Sequence, residues 1–375
     1  MIIFGKKAKR KFNTIIDKLS ELQSNMNNVK GDMDTVKSTI ENVKCDVRNV
    51  KYDVENMDQF FFWHKKCIEI STKIGCSNNC AYCPQDKFVS AYCKDTSRNR
   101  IMRFEDFKQA LRHLPPAFKL AFSGMNEPFE NPEAFKMLAY ALEKGFLVDI
   151  FTSLKGLTLA QIEQLPSLNI KNIQFFRVHL PDNNGWMHLY PDNEYLNKLK
   201  ALSRIKFRHL DYVCFGTLHP DIPDYIAAQV ICDSRLYLLS RAGNVNNGEK
   251  IPELNDINHC TKYAHITDIN TKVICELRLT DTYEDRAPTH IEKAVLLPDG
   301  SLALCCMDFG LKHILGNLFK DPYESIMYGE VMQEIEKSMF CQNDKEILCR
   351  SCEWAVAFDE ERWRNFCQTG SYPLS

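Results

Sequence analysis

The sequence lacks the features that would assign it to a membrane, to secretion or to nucleic-acid binding. It has no run of eighteen or more apolar residues, the length that a membrane-spanning helix needs. Its first residues lack an apolar segment followed by a small-residue cleavage site, so we expect a cytoplasmic protein. Its 47 basic and 49 acidic residues leave a formal net charge of −2, which excludes a general attraction to nucleic acid.

Cysteine, in contrast, is abundant, with sixteen residues in a chain of 375. Small secreted domains use many cysteines as disulfides, but this chain is large and carries no secretion signal. The cysteines therefore favour metal or cluster binding in a reducing compartment. The length allows two or three folded units with cores of their own.

The first 59 residues form two segments of unusual composition. Residues 1–12, MIIFGKKAKRKF, are predicted to be a solvated basic tail, with weak contact to an anionic membrane surface as the alternative. Residues 13–59 carry an apolar heptad seam, which predicts a coiled coil and hence a homo-oligomer whose strand number is open. The seam consists of Ile15, Leu19, Leu22, Met26, Val29, Met33, Val36, Ile40, Val43, Val47, Val50, Val54 and Met57.

Residues 60–245 alternate between short apolar runs and helical patterns, which predicts a parallel sheet. Ligands of such sheets bind at the carboxyl ends of the strands. Residues 246–260 are polar and are predicted to be a linker to a cysteine-rich segment, 261–375. The predicted strands are CIEISTKIG (67–75), KLAFSG (119–124), LVDIFTS (147–153), IQFFRVHL (173–180), LDYVCFG (210–216) and RLYLLSR (235–241). The predicted helices are FEDFKQALRHL (104–114), PEAFKMLAYALEK (132–144) and LTLAQIEQL (157–165).

Three cysteines, Cys76, Cys80 and Cys83, follow the first predicted strand. Three thiolates can bind three irons of a cubane [4Fe–4S] cluster and leave the fourth iron open to another ligand. The alternative is a zinc knuckle, but structural zinc sites need four ligands. Cys93 is the candidate for a fourth ligand after the loop.

The CxxxCxxC spacing after the first strand of a β/α series resembles the radical S-adenosylmethionine (SAM) superfamily, over residues 67 to about 355. The resemblance implies an α/β fold, a partial (β/α)6 TIM-like barrel, flanked here by the N-terminal coiled-coil helix and a small C-terminal cysteine-rich Fe–S domain. It also implies that a [4Fe–4S] cluster at the three cysteines reductively cleaves SAM. The resulting 5′-deoxyadenosyl radical removes hydrogen from an unactivated C–H bond.

The same resemblance implies a set of SAM-binding residues. Tyr82 stands where the family has an aromatic residue near the adenine. The segment SGMNEP (123–128) resembles the GGEP segment that binds the methionine amino group, although it has Ser at its first position and two inserted residues. The implied SAM-binding set is Tyr82, Ser123, Gly124, Asn126, Glu127, Thr152, Ser153, Arg241 and Asn244.

The C-terminal cysteines resemble the SPASM extension, which binds auxiliary Fe–S clusters. The resemblance is carried by a Pro-Asp-Gly turn at 298–300, by CCMD (305–308) and by CRSC (349–352). Because the full seven-cysteine pattern is not met, we expect one auxiliary [4Fe–4S] cluster, with Cys260, Cys306 and Cys341 left open as further candidate ligands. A four-cysteine zinc ribbon is the alternative. The implied ligands are Cys275, Cys305, Cys349 and Cys352.

Together these features predict a radical SAM oxidoreductase with a flavodoxin- or ferredoxin-type electron donor. The CPQ segment after the cysteine loop resembles proteins of cell-surface polysaccharide biosynthesis, which favours oxidation or epimerisation of a sugar or related small metabolite. A maturase of a ribosomal peptide or protein side chain is the alternative enzyme, and a coiled-coil scaffold with a metal domain is the alternative outside enzymes. His179 and Asp308 are the candidate catalytic residues, each with a structural role as its alternative.

Overall fold

The computed structural model describes residues 67–115, 118–231, 270–275, 294–343, 345–352 and 355–359, with the single residues 18, 20, 23 and 361. The chain divides into two units, Met1–Trp63 and His64–Ser375. Lys18, Ser20 and Gln23 are helical and exposed. The rest of the predicted coiled coil, the basic tail and the predicted linker lie outside the described residues, as do Arg241, Asn244 and Cys260.

The second unit is built on a parallel sheet whose strands are separated by helices. Six strands pair in the order in which they occur in the sequence. They are β1 (Cys67–Ile70), β2 (Lys119–Phe122), β3 (Leu147–Thr152), β4 (Ile173–His179), β5 (Leu210–Val213) and β6 (Val230–Ile231). The helices are α1 (Gln85–Tyr92), α2 (Phe104–Arg112), α3 (Ala134–Glu143), α4 (Leu159–Gln164), α5 (Asn193–Leu202) and α6 (Asp224–Ala227).

A cysteine-rich segment extends this sheet at the β1 edge. Strands β8 (Val295–Leu296), β9 (Ser301–Ala303) and β10 (Ile314–Asn317) join it, with β8 parallel to β1 and the other two antiparallel. Strands β7 (Val273–Cys275) and β11 (Ala355–Ala357) form a separate antiparallel pair. Two helices, α7 (Tyr323–Met327) and α8 (Glu330–Met339), stand between β10 and β11. None of the helices in the described ranges is long and apolar enough to cross a membrane.

The two faces of the parallel sheet differ in chemistry because side chains alternate along each strand. One face is fully buried under the helices and carries Ile68, Ile70, Leu120, Phe122, Val148, Ile150, Phe176 and Val178. The opposite, polar face carries the charged residues Glu69, Lys119, Asp149, Arg177 and Asp211, with apolar Ala121, Phe151 and Phe175 among them. A buried apolar face and a polar face on the same sheet are what a barrel-like wall around a polar site requires.

The α/β fold with a parallel core is confirmed. Its sheet is not closed into a barrel, since β6 and β10 are edge strands in the part of the chain that the structure describes. The first five predicted strands match β1–β5 to within a few residues, and the three predicted helices match α2, α3 and α4. The sixth parallel strand is Val230–Ile231, which the sequence did not predict. The predicted strand RLYLLSR lies outside the described residues.

Candidate functional site

The predicted site residues up to His179 all lie at one edge of the sheet. Strands β1 to β5 are parallel, so their carboxyl ends meet there. Cys76, Cys80 and Cys83 lie in the loop after β1, and SGMNEP follows β2. Thr152 ends β3 and Ser153 follows it, and His179 ends β4.

The cysteine loop is attached to the turn after SGMNEP by a carboxylate. Glu130 accepts hydrogen bonds from the backbone N–H of Ser77 (3.0 Å) and from the Ser77 hydroxyl, and it forms an ion pair with Lys73 (2.6 Å). On the other side, Lys155 Nζ donates to the Ser77 carbonyl at 3.0 Å. Burial opposes ionisation of Glu130, but the hydrogen bonds from Lys73 and Ser77 prevail and hold its pKa below the usual range.

The loop after β4 covers the cysteine loop, a contact that the sequence analysis missed. Ala81 N donates to Trp186 O at 2.8 Å, and His188 N donates to Asn78 O at 2.8 Å. Buried Asp182 holds this covering loop in shape by accepting from the backbone of Trp186 (2.9 Å) and Met187 (2.8 Å). The turn-forming run LPDNNG (180–185) is the signal from which a structured loop could have been predicted here.

Three aromatic rings connect the cysteine loop to the end of β4. Buried Tyr82 packs edge-on against Phe215, with ring centroids 4.8 Å apart. His179 contacts the same Phe215 ring at 5.1 Å. The predicted adenine neighbour and the predicted catalytic histidine therefore flank one phenylalanine, and burial raises the pKa of Tyr82 well above its usual value. The proximity is observed, while the role of His179 stays a prediction.

Glycine is the one residue type that fits position 124 in the SGMNEP segment. Its φ is +54°, and a Cβ there would lie 2.4 Å from Ser71 Oγ and 2.7 Å from Ser71 N. The adjacent Met125 N donates to Ser71 Oγ at 2.8 Å, so the turn is held tightly against the end of β1. A side chain at Gly124 would separate these two strand ends.

Glu127 joins the ends of β2 and β3 through a buried network. Its carboxylate accepts from Thr152 Oγ1 (2.5 Å), Ser153 N (2.6 Å) and Ser153 Oγ (2.7 Å). Asn78 of the cysteine loop donates to Ser153 Oγ at 2.8 Å and extends the network to β1. Burial raises the pKa of Glu127. Three residues predicted to contact SAM thus hydrogen-bond one another, which the sequence spacing alone did not indicate.

The residues at this edge fit a ligand that brings hydrogen-bond donors. Three buried amide oxygens, those of Asn78, Gln85 and Asn126, have no donor among the described residues. An unsatisfied buried acceptor costs about 1–3 kcal/mol, so such groups are usually paired. SAM carries an ammonium group and ribose hydroxyls, which are donors of the required kind. The site therefore suits SAM chemically.

The three thiols suit a cluster by donor type, because Fe–S clusters are held by cysteine thiolates. Burial raises the pKa of Cys76 to about 12, so the thiolate needs a bound cation to form at neutral pH. In the ranges that the structure describes, no three His, Cys, Asp or Glu side chains already have the geometry of a metal site. The loop supplies three thiols as donors. In this structure the thiols are not yet arranged around one point, as a bound cluster would require.

The C-terminal cysteines lie in a different environment. Cys305, Cys349 and Cys352 are buried and belong to the main hydrophobic core. Cys275 on β7 is half-buried and pairs in register with Ala355, three residues after Cys352. These four candidate ligands remain a prediction.

The alternative ligands Cys306 and Cys341 are both half-buried. Cys341 has φ of +58° and accepts a hydrogen bond from Arg350 Nη2 at 3.5 Å. Because Arg350 lies between Cys349 and Cys352, this contact brings Cys341 beside the CRSC segment. Cys341 therefore remains an alternative candidate ligand of the auxiliary cluster.

Asp308 holds the turn after the paired cysteines. It is fully buried, and its two carboxylate oxygens accept from the backbone N–H of Lys312 (2.9 Å) and His313 (2.7 Å). This is the hairpin-capping role that the sequence analysis left open beside a catalytic one. Its role as a proton acceptor stays a prediction.

An ion pair connects the region after α1 to the C-terminal hairpin. Arg98 Nε lies 2.6 Å from Asp299 Oδ2, and the guanidinium stacks 3.8 Å from the centre of the Tyr92 ring. Asp299 belongs to the Pro298–Gly300 turn between β8 and β9. Because β8 also pairs with β1, the two cysteine-bearing regions share both a sheet and a side-chain contact.

Residues 289–353 match the family model of SPASM, an iron–sulfur cluster-binding domain. The match contains Cys305, Cys306, Cys341, Cys349 and Cys352. It confirms the predicted SPASM-type domain and its iron–sulfur cofactor. No relative was found among curated proteins.

Several solved structures resemble the chain. BtrN in complex with AdoMet and 2-DOIA is 16% identical, and the alignment covers 83% of this chain and 98% of BtrN at a TM-score of 0.45. SuiB from Streptococcus suis bound to precursor peptide SuiA is 13% identical, with 82% and 74% covered and a TM-score of 0.45. Native anSMEcpe with bound AdoMet is 16% identical, with 77% and 86% covered and a TM-score of 0.41.

These likenesses have TM-scores below 0.5 and decide nothing about the activity of this chain. The SPASM match shows an iron–sulfur cluster-binding domain at residues 289–353. Radical SAM activity, with SAM and [4Fe–4S] clusters as cofactors, stays the prediction of the three-cysteine loop that follows β1.

Proposed function

We propose that the chain is a radical SAM enzyme that oxidises or epimerises a sugar or a related hydroxylated small metabolite of cell-surface polysaccharide biosynthesis. The observation that carries the proposal is the connection of the cysteine loop to Glu127, Thr152 and Ser153, beside a polar sheet face. When bound, the reduced cluster supplies the electron that converts SAM into methionine and the 5′-deoxyadenosyl radical, which takes hydrogen from the substrate.

The chain's own residues hold and shield this chemistry. Cys76, Cys80 and Cys83 bind the cluster in our proposal, and Glu130 with Lys73 keeps their loop in place. The network from Asn78 through Ser153 to Glu127 orients the ends of three strands. The covering loop with Trp186 limits access of water, which matters because a primary carbon radical reacts with whatever it meets.

A hydroxylated substrate is supported by the charge pattern on the polar face of the sheet. Arg177, two residues before His179, forms an ion pair with Asp211 at 2.7 Å. Sugar hydroxyls can donate to the Asp211 carboxylate and accept from the Arg177 guanidinium at once. A second pair on the same face, Lys119–Asp149 at 2.6 Å, lies toward the amino ends of the strands.

His179 is the proposed proton relay or substrate contact at the rim of this face, because it ends β4 beside Arg177 and reaches the Phe215 ring. The C-terminal domain is proposed to hold one auxiliary [4Fe–4S] cluster through Cys275, Cys305, Cys349 and Cys352. Such a cluster could accept the electron of a substrate radical, which makes a net two-electron oxidation possible. A flavodoxin or ferredoxin is the proposed electron donor, in a cytoplasmic homo-oligomer.

The test is anaerobic incubation of the reconstituted full chain with SAM, dithionite and a library of deuterated sugars and cyclitols. We expect SAM cleavage and transfer of deuterium into 5′-deoxyadenosine with one member of the library. Transfer only from a peptide encoded beside the gene would replace the sugar by a peptide substrate. Absence of SAM cleavage, or zinc in the cysteine loop of purified protein, would overturn the enzyme assignment in favour of a scaffold.

A further inference from the structure

Gln85 begins helix α1, two residues after the last cysteine of the loop, and the NH₂ end of its side-chain amide has no role in the site described above. We propose that Gln85 is a positioning residue that holds Cys83 by an N–H···S hydrogen bond and raises the reduction potential of the cluster. The inference rests on the proposed function, since Cys83 must be a cluster ligand for it to hold.

The geometry defines which end of the Gln85 amide faces the cysteine. Nε2 lies 3.6 Å from Cys83 Sγ and 2.5 Å from the carbonyl oxygen of Met125. Both neighbours are acceptors, so only the NH₂ end of the amide can satisfy them, and it has one hydrogen for each. The side chain is 6% exposed, which keeps water from competing for these bonds.

Gln85 is held from both sides. Its carbonyl partner Met125 is bonded through its own N–H to Ser71 Oγ at 2.8 Å, in the turn that Gly124 makes possible. On the other side, helix α1 is anchored by Phe88 and Tyr92, which are both fully buried. The Gln85 NH₂ group therefore keeps its position when the charge on Cys83 Sγ changes. A fixed donor of this kind is what a constant electrostatic effect on the cluster requires.

The expected effect on the cluster follows from charge. Reduction adds an electron that is shared with the ligand sulfurs, and a hydrogen-bond donor stabilises the more negative state. Hydrogen bonds to the sulfurs are among the factors that set Fe–S potentials. Without the donor, the cluster becomes harder to reduce, and fewer molecules can cleave SAM at a given driving potential.

The test compares the full chain with Gln85→Met, which keeps the length of the side chain but has no donor, and with Gln85→Glu, which keeps the shape but offers only acceptors when ionised. A redox titration follows the EPR signal that changes on addition of SAM, so that the auxiliary cluster does not contribute. At the midpoint potential of the unchanged protein, we expect the ratio of reduced to oxidised cluster in each Gln85 variant to be about tenfold lower. For one electron this is a fall of about 59 mV.

Gln109→Met is the matched control. Gln109 also donates from Nε2 to a backbone carbonyl, that of Phe319 at 2.5 Å, but it is exposed on α2. This variant should leave the potential unchanged. An unchanged potential in both Gln85 variants, with the cluster intact, would overturn the inference.

Two further outcomes distinguish failure of this inference from failure of the proposed function. Loss of the cluster in both Gln85 variants, with a native melting temperature, would also overturn the inference, since Gln85 would then support the loop without tuning it. If the unchanged protein binds no SAM-responsive cluster, the proposed function itself fails.

Discussion

The chain presents its cysteines in two different ways. Cys76, Cys80 and Cys83 are half-buried on a loop that hydrogen bonds attach to Glu130 and to the loop after β4. Cys305, Cys349 and Cys352 are part of the main hydrophobic core. The first arrangement would leave a cluster on the proposed ligands reachable for SAM and substrate, while the second makes cysteine part of what holds the domain together. The two regions should therefore respond differently to the same substitution.

The largest effect is expected from Cys80→Ser compared with Cys352→Ser. Cys80→Ser should reduce SAM cleavage to background with little loss of stability, because its loop is held by other side chains. Cys352→Ser should lower the free energy of unfolding of the cluster-free chain by about 1–3 kcal/mol, since it places a hydroxyl in an apolar core. Anaerobic SAM-cleavage assays and urea unfolding measure the two effects.

Equal losses of stability in the two variants would contradict this difference between the regions. Iron and sulfide content, determined for each variant, shows which cluster was lost.

Next in size is Gly124→Ala, for which Gly145→Ala is the matched control. Both glycines have positive φ, +54° and +83°, so both variants bear a conformational cost of about 1 kcal/mol. A Cβ at Gly145 meets nothing within 4 Å, whereas at Gly124 it overlaps Ser71. We expect Gly124→Ala to cost about 1–3 kcal/mol more and to abolish SAM binding, measured by unfolding and by calorimetric titration with SAM.

Similar stability of the two alanine variants would mean that the turn after β2 can move away from β1. SAM binding by Gly124→Ala would then be expected to survive as well.

A smaller effect tests the contact between the regions. A double-mutant cycle of Arg98→Ala and Asp299→Ala should give a coupling energy of about 1 kcal/mol in the free energy of unfolding, because both side chains are only 17% exposed. The pair Lys312–Glu346, with both side chains more than half exposed, is the control and should show weaker coupling. Coupling no larger than in the control would mean that only the β1–β8 pairing joins the regions.

The smallest effect is a pH dependence from Glu130. Its pKa is lowered in the folded chain, so the unfolded chain binds more protons at acidic pH. The stability that Glu130 contributes is therefore complete above its ordinary pKa of 4.5 and is lost as the pH falls through the folded value. Glu130→Gln should flatten the acidic limb of a stability–pH curve, measured by urea unfolding. An unchanged acidic limb would show that the cysteine loop does not depend on this carboxylate.

Local patterns predicted much of the fold. The apolar runs of β1 to β5 and the helical periodicity of α2, α3 and α4 were readable because each depends on neighbouring residues. Strand β6 was missed because two residues are too few to make a pattern. The loop after β4 was missed because its contacts with the cysteine loop join residues about one hundred positions apart.

The candidate site divides in the same way. The sequence alone determined the three-thiol spacing, the SGMNEP turn and the cysteine-rich C-terminal domain, because the covalent order of residues sets donor type and spacing within a loop. Only the tertiary structure decided that Glu127 bonds Thr152 and Ser153, that His179 and Tyr82 share Phe215, and that Gln85 faces Cys83. These contacts arise when parallel strands bring their carboxyl ends to one edge and buried polar groups must find partners there.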